Sequence, residues 1–320
     1  MGSMTTRPHP SSTMNRPEID SRPPCLIIAL AAALFIGFGA APASALPQNT
    51  IPAKAAVVMD STGSVLYAKY PNAKLAPAST VKLVTAMVAL DNLDPAKKVT
   101  ISPNAARVRS IEPRLLPHEE MTVSDLLHLA LMKSINAAAV ALAEETAGSE
   151  REFAALMNLK AKEIGAKDTL FANASGLPKG TQYSTAADLV LIMRAALAYP
   201  QIREILGKRA WLIRTTEGRE IFLESSNDLL YQSNNIIGGK TGYTGNARHC
   251  FVCAISTDKG PFYTAVLGAR SRNSLWRSTL MLAEIGANPE LALTMAKPRV
   301  RRVSHKAKVV MPEPTLVSSH

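Results

Sequence analysis

The pattern of apolar and polar positions changes its period twice along the chain. Residues 55–60 and 64–70 alternate as β-strands do, and the turn between them ends at Gly63, which predicts a hairpin. Apolar side chains then recur at helical spacing over residues 79–90. Residues 95–117 are interrupted by prolines and predict loops.

The middle of the chain predicts consecutive helices. Thr122, with Asp125 three residues later, has the pattern of a helix N-cap, and Gly148 and Gly165 are suitable helix ends. The expected bounds of these helices are residues 122–133, 136–147, 150–164 and 186–198. This part of the chain is therefore expected to form an all-helical half.

After residue 208 the period returns to two. We expect strands over residues 209–214, 220–224, 236–241, 248–256 and 262–269, and a last helix over 271–285. The first hairpin and these later strands most simply pair in one antiparallel sheet. The predicted fold class is α/β in its α+β form, with the functional site in the cleft between the sheet and the helical half.

The beginning of the chain has the pattern of an export signal. Residues 26–40 are apolar, basic side chains precede them at Arg7, Arg16 and Arg22, and the small residues 43–45 follow. The apolar run is short for a membrane span, which needs about 20 residues. We expect cleavage after Ala45 and a protein exported to the periplasm or cell envelope, with an uncleaved N-terminal anchor as the alternative.

Composition and charge exclude several classes of function. The 320 residues are 47% hydrophobic and 5% aromatic, which is typical of a globular protein and argues against a nucleic-acid platform of stacked bases. Part of the net charge of +11 lies in residues 288–320, where we expect a flexible basic tail. The tail either associates weakly with anionic membrane or wall polymers or is a solvated linker. The expected organisation is a signal over 1–45, one domain over 46–287 and the tail.

Ser79 and Lys82 form an S-x-x-K motif at the start of a predicted helix, where positions i and i+3 share one face. A serine hydroxyl is a poor nucleophile until a base removes its proton. A lysine amine acts as that base only if burial or a nearby cation lowers its pKa. A second S-x-x-K, from Ser256 to Lys259, falls in a Gly-Pro turn and is expected to be a solvated loop.

Two further motifs each have a structural and a functional interpretation. Ser134 and Asn136 form an S-x-N at a helix junction, where such residues commonly cap free backbone groups. Lys240, Thr241 and Gly242 end a predicted strand, and form either a tight turn with an exposed lysine or a site for a carboxylate. The glycine lets a peptide-like ligand approach the strand.

Other catalytic patterns are absent from the sequence. There is no G-x-S-x-G nucleophile turn and no H-E-x-x-H zinc motif, and His118, His128 and His249 lack ligand spacing. We therefore expect no metal and no cofactor. Cys250 and Cys253 would point to opposite faces of a strand, so we expect two small buried thiols and no redox pair.

The three motifs, taken in this order, resemble those of the low-molecular-mass penicillin-binding proteins, the D-alanyl-D-alanine carboxypeptidase family of serine peptidases. The resemblance extends from about residue 53 to residue 287, and residues 77–86, 171–177 and 183–189 are also similar to ordered segments of that family. It implies the fold shared by β-lactamases and penicillin-binding transpeptidases.

The resemblance also implies roles for individual residues. Ser79 would be the acylated nucleophile and Lys82 its general base, while Ser134 would relay protons with Lys82 and Asn136 would bond the substrate amide. Tyr243 and Ser79 would supply the backbone N–H groups of the oxyanion hole.

Lys240 and Thr241 would bind the terminal carboxylate of a stem peptide, next to Gly242. Because Lys240 is a second cation, its proximity would keep Lys82 neutral enough to act as a base.

The activity implied is that of a D-alanyl-D-alanine carboxypeptidase acting on peptidoglycan stem peptides, with β-lactams as covalent inhibitors. The alternatives are a D,D-endopeptidase that cuts peptide cross-links and a non-hydrolytic wall-peptide binding module. A β-lactamase is disfavoured because the chain has no E-x-x-L-N segment. Two departures from the family pattern are Ile135 and Ala137 around Asn136, and Arg248, which follows Ala247 where an Ala-Gly pair is common.

Overall fold

The structure, a computed structural model, describes residues 51–291. Its strands are β1 (Ala55–Met59), β2 (Val65–Lys69), β3 (Lys98–Thr100), β4 (Glu120–Thr122), β5 (Ala210–Arg214), β6 (Glu220–Glu224), β7 (Ile236–Thr244), β8 (Arg248–Ile255) and β9 (Phe262–Ala269). Its helices are α1 (Lys82–Asn92), α2 (Pro103–Arg107), α3 (Val123–Met132), α4 (Asn136–Ala147), α5 (Glu150–Ile164), α6 (Ala186–Ala196), α7 (Pro200–Gly207) and α8 (Arg272–Ala287).

Five antiparallel strands form the main sheet in the order β2-β1-β9-β8-β7. The hairpin expected at the start of the domain is confirmed as β1 and β2, and the late meander as β7, β8 and β9. Because β7 ends the sheet, one of its edges pairs with no strand of the described chain. An extended ligand can therefore add to this edge.

Local sequence signals set the ends of the central helices. Thr122 and Asp125 form a reciprocal capping box at the start of α3, as their spacing predicts. Gly148 and Gly165 adopt left-handed conformations directly after α4 and α5, where a side chain would be disfavoured. The predicted bounds of α4 and α5 agree with the structure.

Alternation along β1 divides the core between the two faces of the sheet. Ala55, Val57 and Met59 pack with the helical half, whereas Ala56 and Val58 pack with residues of α8. All five residues are buried, which is typical of a strand covered on both sides. The sheet is therefore the central layer between α8 and the other helices.

One prediction about the sheets is corrected by the structure. Strands β5 and β6 pair only with each other and do not join the main sheet. They form a separate hairpin whose inner residues, Ile213, Ile221 and Leu223, are buried against the helical half. A period of two identifies a half-buried strand but not the sheet in which it pairs.

Prolines begin helices here as well as ending them. The segment expected to be loops contains β3 and the short helix α2, in which Pro103 occupies the first turn after the N-cap Ser102. Pro200 likewise begins α7, a helix that the sequence did not predict. The ring of proline fixes a helical φ and needs no N–H at the first helical position.

No helix within residues 51–291 combines the length and the apolar content that a bilayer crossing requires. The predicted export signal lies outside the described residues, and so does the basic tail beyond residue 291. Helix α8 ends at Ala287, the boundary expected for the domain.

Candidate active site

A cleft of about 380 Å³ lies between β7, the junction of α3 with α4, and the first turns of α8. Six of the residues predicted from sequence line it, namely Ser79, Ser134, Asn136, Thr241, Gly242 and Tyr243. Lys82 and Lys240 are completely buried beneath it. The structure therefore brings the three motifs together, although they are far apart in the sequence.

Ser79 lies in a 3-10 turn, Ala78–Val81, that leads directly into α1. Ala78 has a φ of 49°, a left-handed conformation that is uncommon for a residue with a side chain. Strand β7 crosses this turn closely, because a Cβ added to Gly242 would lie 3.0 Å from the Ser79 nitrogen and 3.1 Å from the Pro77 oxygen. Glycine at position 242 permits this approach.

The amine of Lys82 lies 2.9 Å from the hydroxyl oxygen of Ser79. It also donates to Asn136 Oδ1 at 2.7 Å and to the carbonyl oxygen of Ser175 at 2.6 Å. Burial, and secondly the nearby charge of Lys240, lowers the pKa of Lys82 well below its usual 10.5. A neutral Lys82 amine can accept the Ser79 proton along the contact already present.

Residues 173–177 support Lys82 from behind. The side-chain oxygen of Asn173 accepts the N–H of Gly176 at 2.7 Å, which orients the turn so that the Ser175 carbonyl faces Lys82. Gly176 has a φ of 81°, and a Cβ there would overlap the carbonyl oxygen of Ala78. The segment noted for its family resemblance therefore packs directly against the nucleophile turn.

Ser134 and Asn136 do not cap α4, whose N-cap position is Ile135 and has no side-chain hydrogen bond. Ser134, with a φ of 66°, directs its hydroxyl to Lys240 Nζ at 3.0 Å. Its hydrogen-bond partner is Lys240, whereas the family resemblance implies a proton relay with Lys82. Asn136 accepts from Lys82 and donates from Nδ2 to the Arg109 carbonyl at 2.7 Å.

Lys240 is buried in β7 and is not the exposed lysine of a tight turn. Its amine donates to Ser134 Oγ and, at 2.9 Å, to the carbonyl oxygen of Thr241. Burial lowers the pKa of Lys240 to about 7. The Thr241 hydroxyl shares a 2.7 Å hydrogen bond with the hydroxyl of Ser226.

The sequence analysis missed a cation on the wall of the cleft. Arg272 forms a two-bond ion pair with Asp228, at 2.7 and 3.0 Å, and donates to the Ser226 carbonyl at 3.3 Å. Trp276 donates from its ring to the same carboxylate at 2.9 Å. No local pattern could have revealed this pair, because its partners come from separate segments that only the fold brings together.

Tyr243 and the second S-x-x-K motif are exposed to solvent. The Tyr243 side chain is 58% exposed, and its ring lies 4.6 Å from that of His249, measured between centroids. The second S-x-x-K is solvated as expected, because Ser256 and Lys259 are exposed.

Cys250 and Cys253 are free and buried. They belong to the cores on opposite faces of the sheet, and burial raises the pKa of their thiols to about 11 and 12. The expectation of two small buried thiols is confirmed. Among residues 51–291 no group of three or more His, Cys, Asp or Glu side chains is arranged to hold a metal ion.

Solved structures share this architecture. A D-alanyl-D-alanine carboxypeptidase from Mycobacterium tuberculosis superimposes with a TM-score of 0.70 at 31% identity, covering 76% of this chain and 95% of that one. The Streptomyces K15 DD-transpeptidase superimposes with a TM-score of 0.70 at 28% identity, covering 74% and 97% of the two chains. The predicted fold class is confirmed.

Sequence comparison gives the same result. A D-alanyl-D-alanine carboxypeptidase of Bacillus subtilis is 37% identical over 68% of this chain and 57% of its own length, so the chain spans less than two thirds of that relative. A D-alanyl-D-alanine endopeptidase of Pseudomonas aeruginosa is 32% identical over 76% and 80%. The family model described as D-alanyl-D-alanine carboxypeptidase matches residues 41–271. With its motifs assembled in one cleft, the chain belongs to the D-alanyl-D-alanine carboxypeptidase family of serine peptidases.

Proposed function

We propose that this protein is a serine D,D-peptidase that removes the terminal D-alanine from peptidoglycan stem peptides through an acyl-enzyme on Ser79. The observation that carries the proposal is the 2.9 Å contact between Ser79 Oγ and the fully buried amine of Lys82. A lysine with a lowered pKa is the base that an unassisted serine hydroxyl needs.

In the acylation step, Lys82 accepts the Ser79 proton as Oγ attacks the carbonyl carbon of the scissile bond. Negative charge develops on the carbonyl oxygen, and the backbone N–H groups of Ser79 and Tyr243 stabilise it. The carbon–nitrogen bond then breaks, and the departing D-alanine amine takes up a proton. Water attacks the resulting ester and restores the Ser79 hydroxyl, with Lys82 again acting as the base.

The carboxylate of the terminal D-alanine binds at the Thr241 end of the cleft. Lys240 and Arg272 supply positive charge there, and the Thr241 hydroxyl supplies a hydrogen bond. Ser134, bonded to Lys240, donates its hydroxyl proton to the leaving amine and regains a proton from Lys82. Asn136, held by Lys82 and Arg109, orients the substrate amide.

Two other activities use the same site. Similarity to the Pseudomonas aeruginosa endopeptidase supports cleavage of peptide cross-links by the same acyl transfer. A binding module without hydrolysis is supported only by Ala137, which stands where the family motif commonly has an aspartate. The intact contact between Ser79 and Lys82 favours a working enzyme.

The test is covalent labelling followed by product analysis. Benzylpenicillin is mixed with the purified protein, and the adduct is located by peptide mass, with Ser79→Ala as the control. We expect an adduct on Ser79 and release of D-alanine from a pentapeptide substrate. Absence of any adduct in a folded sample would refute the assignment, and release of cross-linked partners instead of D-alanine would identify the endopeptidase.

We also propose that residues 1–45 direct export and that the tail after Ala287 contributes weak electrostatic binding to the cell envelope. The basic flank and apolar run of the signal support export. N-terminal sequencing of the protein recovered outside the cytoplasm tests cleavage after Ala45. Deletion of residues 288–320 tests the tail, because equal pelleting with wall sacculi at low salt would exclude its role.

A further inference from the structure

A second cavity, about 770 Å³ in volume, opens at one end of the five-stranded sheet. We call it the sheet-end groove and define it by its basic lining residues, Lys54, Lys69, Arg248 and Arg270. It is larger than the catalytic cleft and shares no lining residue with it. The mechanism proposed above does not use it.

The topology of the sheet explains why four cations meet there. Lys54 precedes β1 and Lys69 ends β2, while Arg248 begins β8 and Arg270 follows β9. In an antiparallel sheet, the start of one strand lies beside the end of its neighbour, as the pairings Ala56↔Lys69 and His249↔Ala269 show. Four adjacent strands therefore each present one basic side chain at the same end.

These charges have no acidic partners within the described chain. No aspartate or glutamate lines the groove, and Lys54, Arg248 and Arg270 make no ion pair with any residue of the range 51–291. Arg272 differs, since its charge is matched by Asp228. Cations collected without counter-charges repel one another and favour a bound anion.

Two of the four cations are fixed by features of the fold. Lys69 is only 8% exposed, its amine donates to the Ile51 carbonyl at 2.8 Å, and burial lowers its pKa. The stem of Lys54 crosses Gly268, where an added Cβ would lie 2.7 Å from the Lys54 side chain. Lys54 and Lys69 are thus held in position before a ligand binds.

Arg248 is an independent indication of selection for charge. It has a φ of 61°, in the left-handed region where glycine is free of strain and an arginine is not. An arginine in this conformation is strained relative to glycine. The backbone alone would favour glycine at this position, and the arginine adds its charge to the groove.

The groove and the catalytic cleft are lined by neighbouring residues of the chain. Arg248 lines the groove and the next residue, His249, lines the cleft. Ser274 and Leu275 are divided between the two cavities in the same way. A substrate that continues past the terminal D-alanine along His249 or Leu275 leaves the cleft towards the basic residues.

We propose that the sheet-end groove binds carboxylate groups on the leaving-group side of the substrate, and so selects acidic peptides that extend beyond the scissile bond. This inference rests on the proposed function, because it names the substrate class that the same catalytic cleft prefers. A D-alanine leaving group has a single carboxylate, which binds at Thr241, and carries no further carboxylate for the groove. A cross-linked acidic peptide reaches it and gains its charge interactions.

The test uses three substrates with the same acyl donor. Their leaving groups are D-alanine, a D-amino acid that carries a glutamate-containing peptide on its side chain, and the matched glutamine-containing peptide. The variant is Arg248→Gly/Arg270→Ala, in which glycine also relieves the left-handed position. The control is Arg203→Ala/Arg277→Ala, which removes two exposed arginines outside the groove.

We expect the groove variant to raise KM for the glutamate substrate by about fivefold, with kcat unchanged and the other two substrates unaffected. Added salt should reduce the difference. Equal KM for the glutamate and glutamine substrates in the unmodified enzyme, or equal effects of the two double variants, would overturn the proposal. The proposal would also be overturned if the groove variant lost binding to inorganic polyphosphate or phosphatidylglycerol vesicles without a change in KM. The groove would then be assigned to a phosphate ligand.

Penicillin labelling separates this inference from the proposed function. If Ser79 is labelled and the groove variant has no effect, the peptidase assignment stands and the groove inference fails. If no turnover is found, binding of the glutamate leaving-group peptide alone still tests the groove by calorimetry. Tighter binding to the unmodified protein than to the groove variant is then the required result.

Discussion

Lys82 and Lys240 are two fully buried amines beneath one cleft, and the charge of Lys240 adds to burial in lowering the pKa of Lys82. Neither amine has a carboxylate partner among the hydrogen bonds that the described residues make with it. Placing two positive charges there is unfavourable, so Lys82 and Lys240 are not expected to be in the charged ammonium form together near neutrality. This arrangement separates a neutral base from a cation that can attract a carboxylate.

The first prediction concerns the pH dependence of acylation. The rate of benzylpenicillin labelling should fall at low pH because protonated Lys82 cannot accept the Ser79 proton. It should also fall above pH about 7, because Lys240 then loses the charge that attracts the carboxylate. Stopped-flow or quenched labelling between about pH 5 and 10 measures both limbs.

The control for this profile is the methyl ester of benzylpenicillin, which has no carboxylate. It should keep the acidic limb and lose the alkaline one. A labelling rate that continues to rise to pH 10 for both compounds would contradict the assigned states of Lys82 and Lys240.

The second prediction compares the two S-x-x-K motifs. Lys82→Ala should reduce acylation by about 10³-fold, because the base is removed while alanine suits the helix that contains it. Lys259→Ala in the exposed copy should leave acylation unchanged. Circular dichroism and thermal unfolding of both variants establish that they fold, and normal labelling of Lys82→Ala would remove this residue from the mechanism.

Sequence patterns predicted the motifs and most of the helices because their signals are local. The capping residues Thr122 and Asp125 lie within one turn, and Gly148 ends its helix by its own conformation. Strands β5 and β6 were also recognised as strands, but their pairing depends on the burial of one face against helices far away in the sequence. Alternation alone carries no information about that partner.

The site was predictable to the level of residues but not of contacts. The resemblance named Ser134, yet its hydroxyl bonds Lys240 at 3.0 Å, and among the described residues it makes no hydrogen bond with Lys82. Arg272 and Asp228 were not predicted because neither has a distinctive neighbour in the sequence. Differences of an ångström between hydrogen-bond partners depend on how whole elements pack, which spacing does not encode.

The third prediction tests the close contact behind the nucleophile turn. Gly176→Ala should destabilise the protein by about 3 kcal/mol or more and abolish penicillin labelling, because the new methyl group overlaps the Ala78 carbonyl. Gly148→Ala is the matched control, since Gly148 also has a positive φ but has open space around it. It should cost only about 1 kcal/mol and retain labelling. Equal unfolding temperatures for the two variants would show that the contact with Ala78 is unimportant.

The fourth prediction concerns the ion pair on the wall of the cleft. Asp228→Asn removes the charge that holds Arg272 in place, so KM for a peptide with a free terminal carboxylate should rise by about fivefold. Because Arg272 does not contact Ser79, kcat should change little. Asp258→Asn, in an exposed turn, is the control of equal charge. A fall in kcat with unchanged KM would indicate that the pair acts on the chemical step rather than on carboxylate binding.

The last prediction is that Lys240 is retained at a cost in stability. Its pKa is about 7 in the folded protein and about 10.5 when unfolded, so the unfolded chain binds more protons between these two values. The free energy of unfolding should therefore rise with pH across this window, and the penalty of burying the charge is largest below pH 7. Lys240→Met removes the charge and should be more stable than the unmodified protein at pH 6, with this gain shrinking towards pH 10. It should also lose most capture of carboxylate-bearing substrates. Denaturant unfolding of both proteins at pH 6 and pH 10 measures this difference in the free energy of unfolding. A stability gain of Lys240→Met that is smaller at pH 6 than at pH 10 would have the opposite sign and would refute the argument.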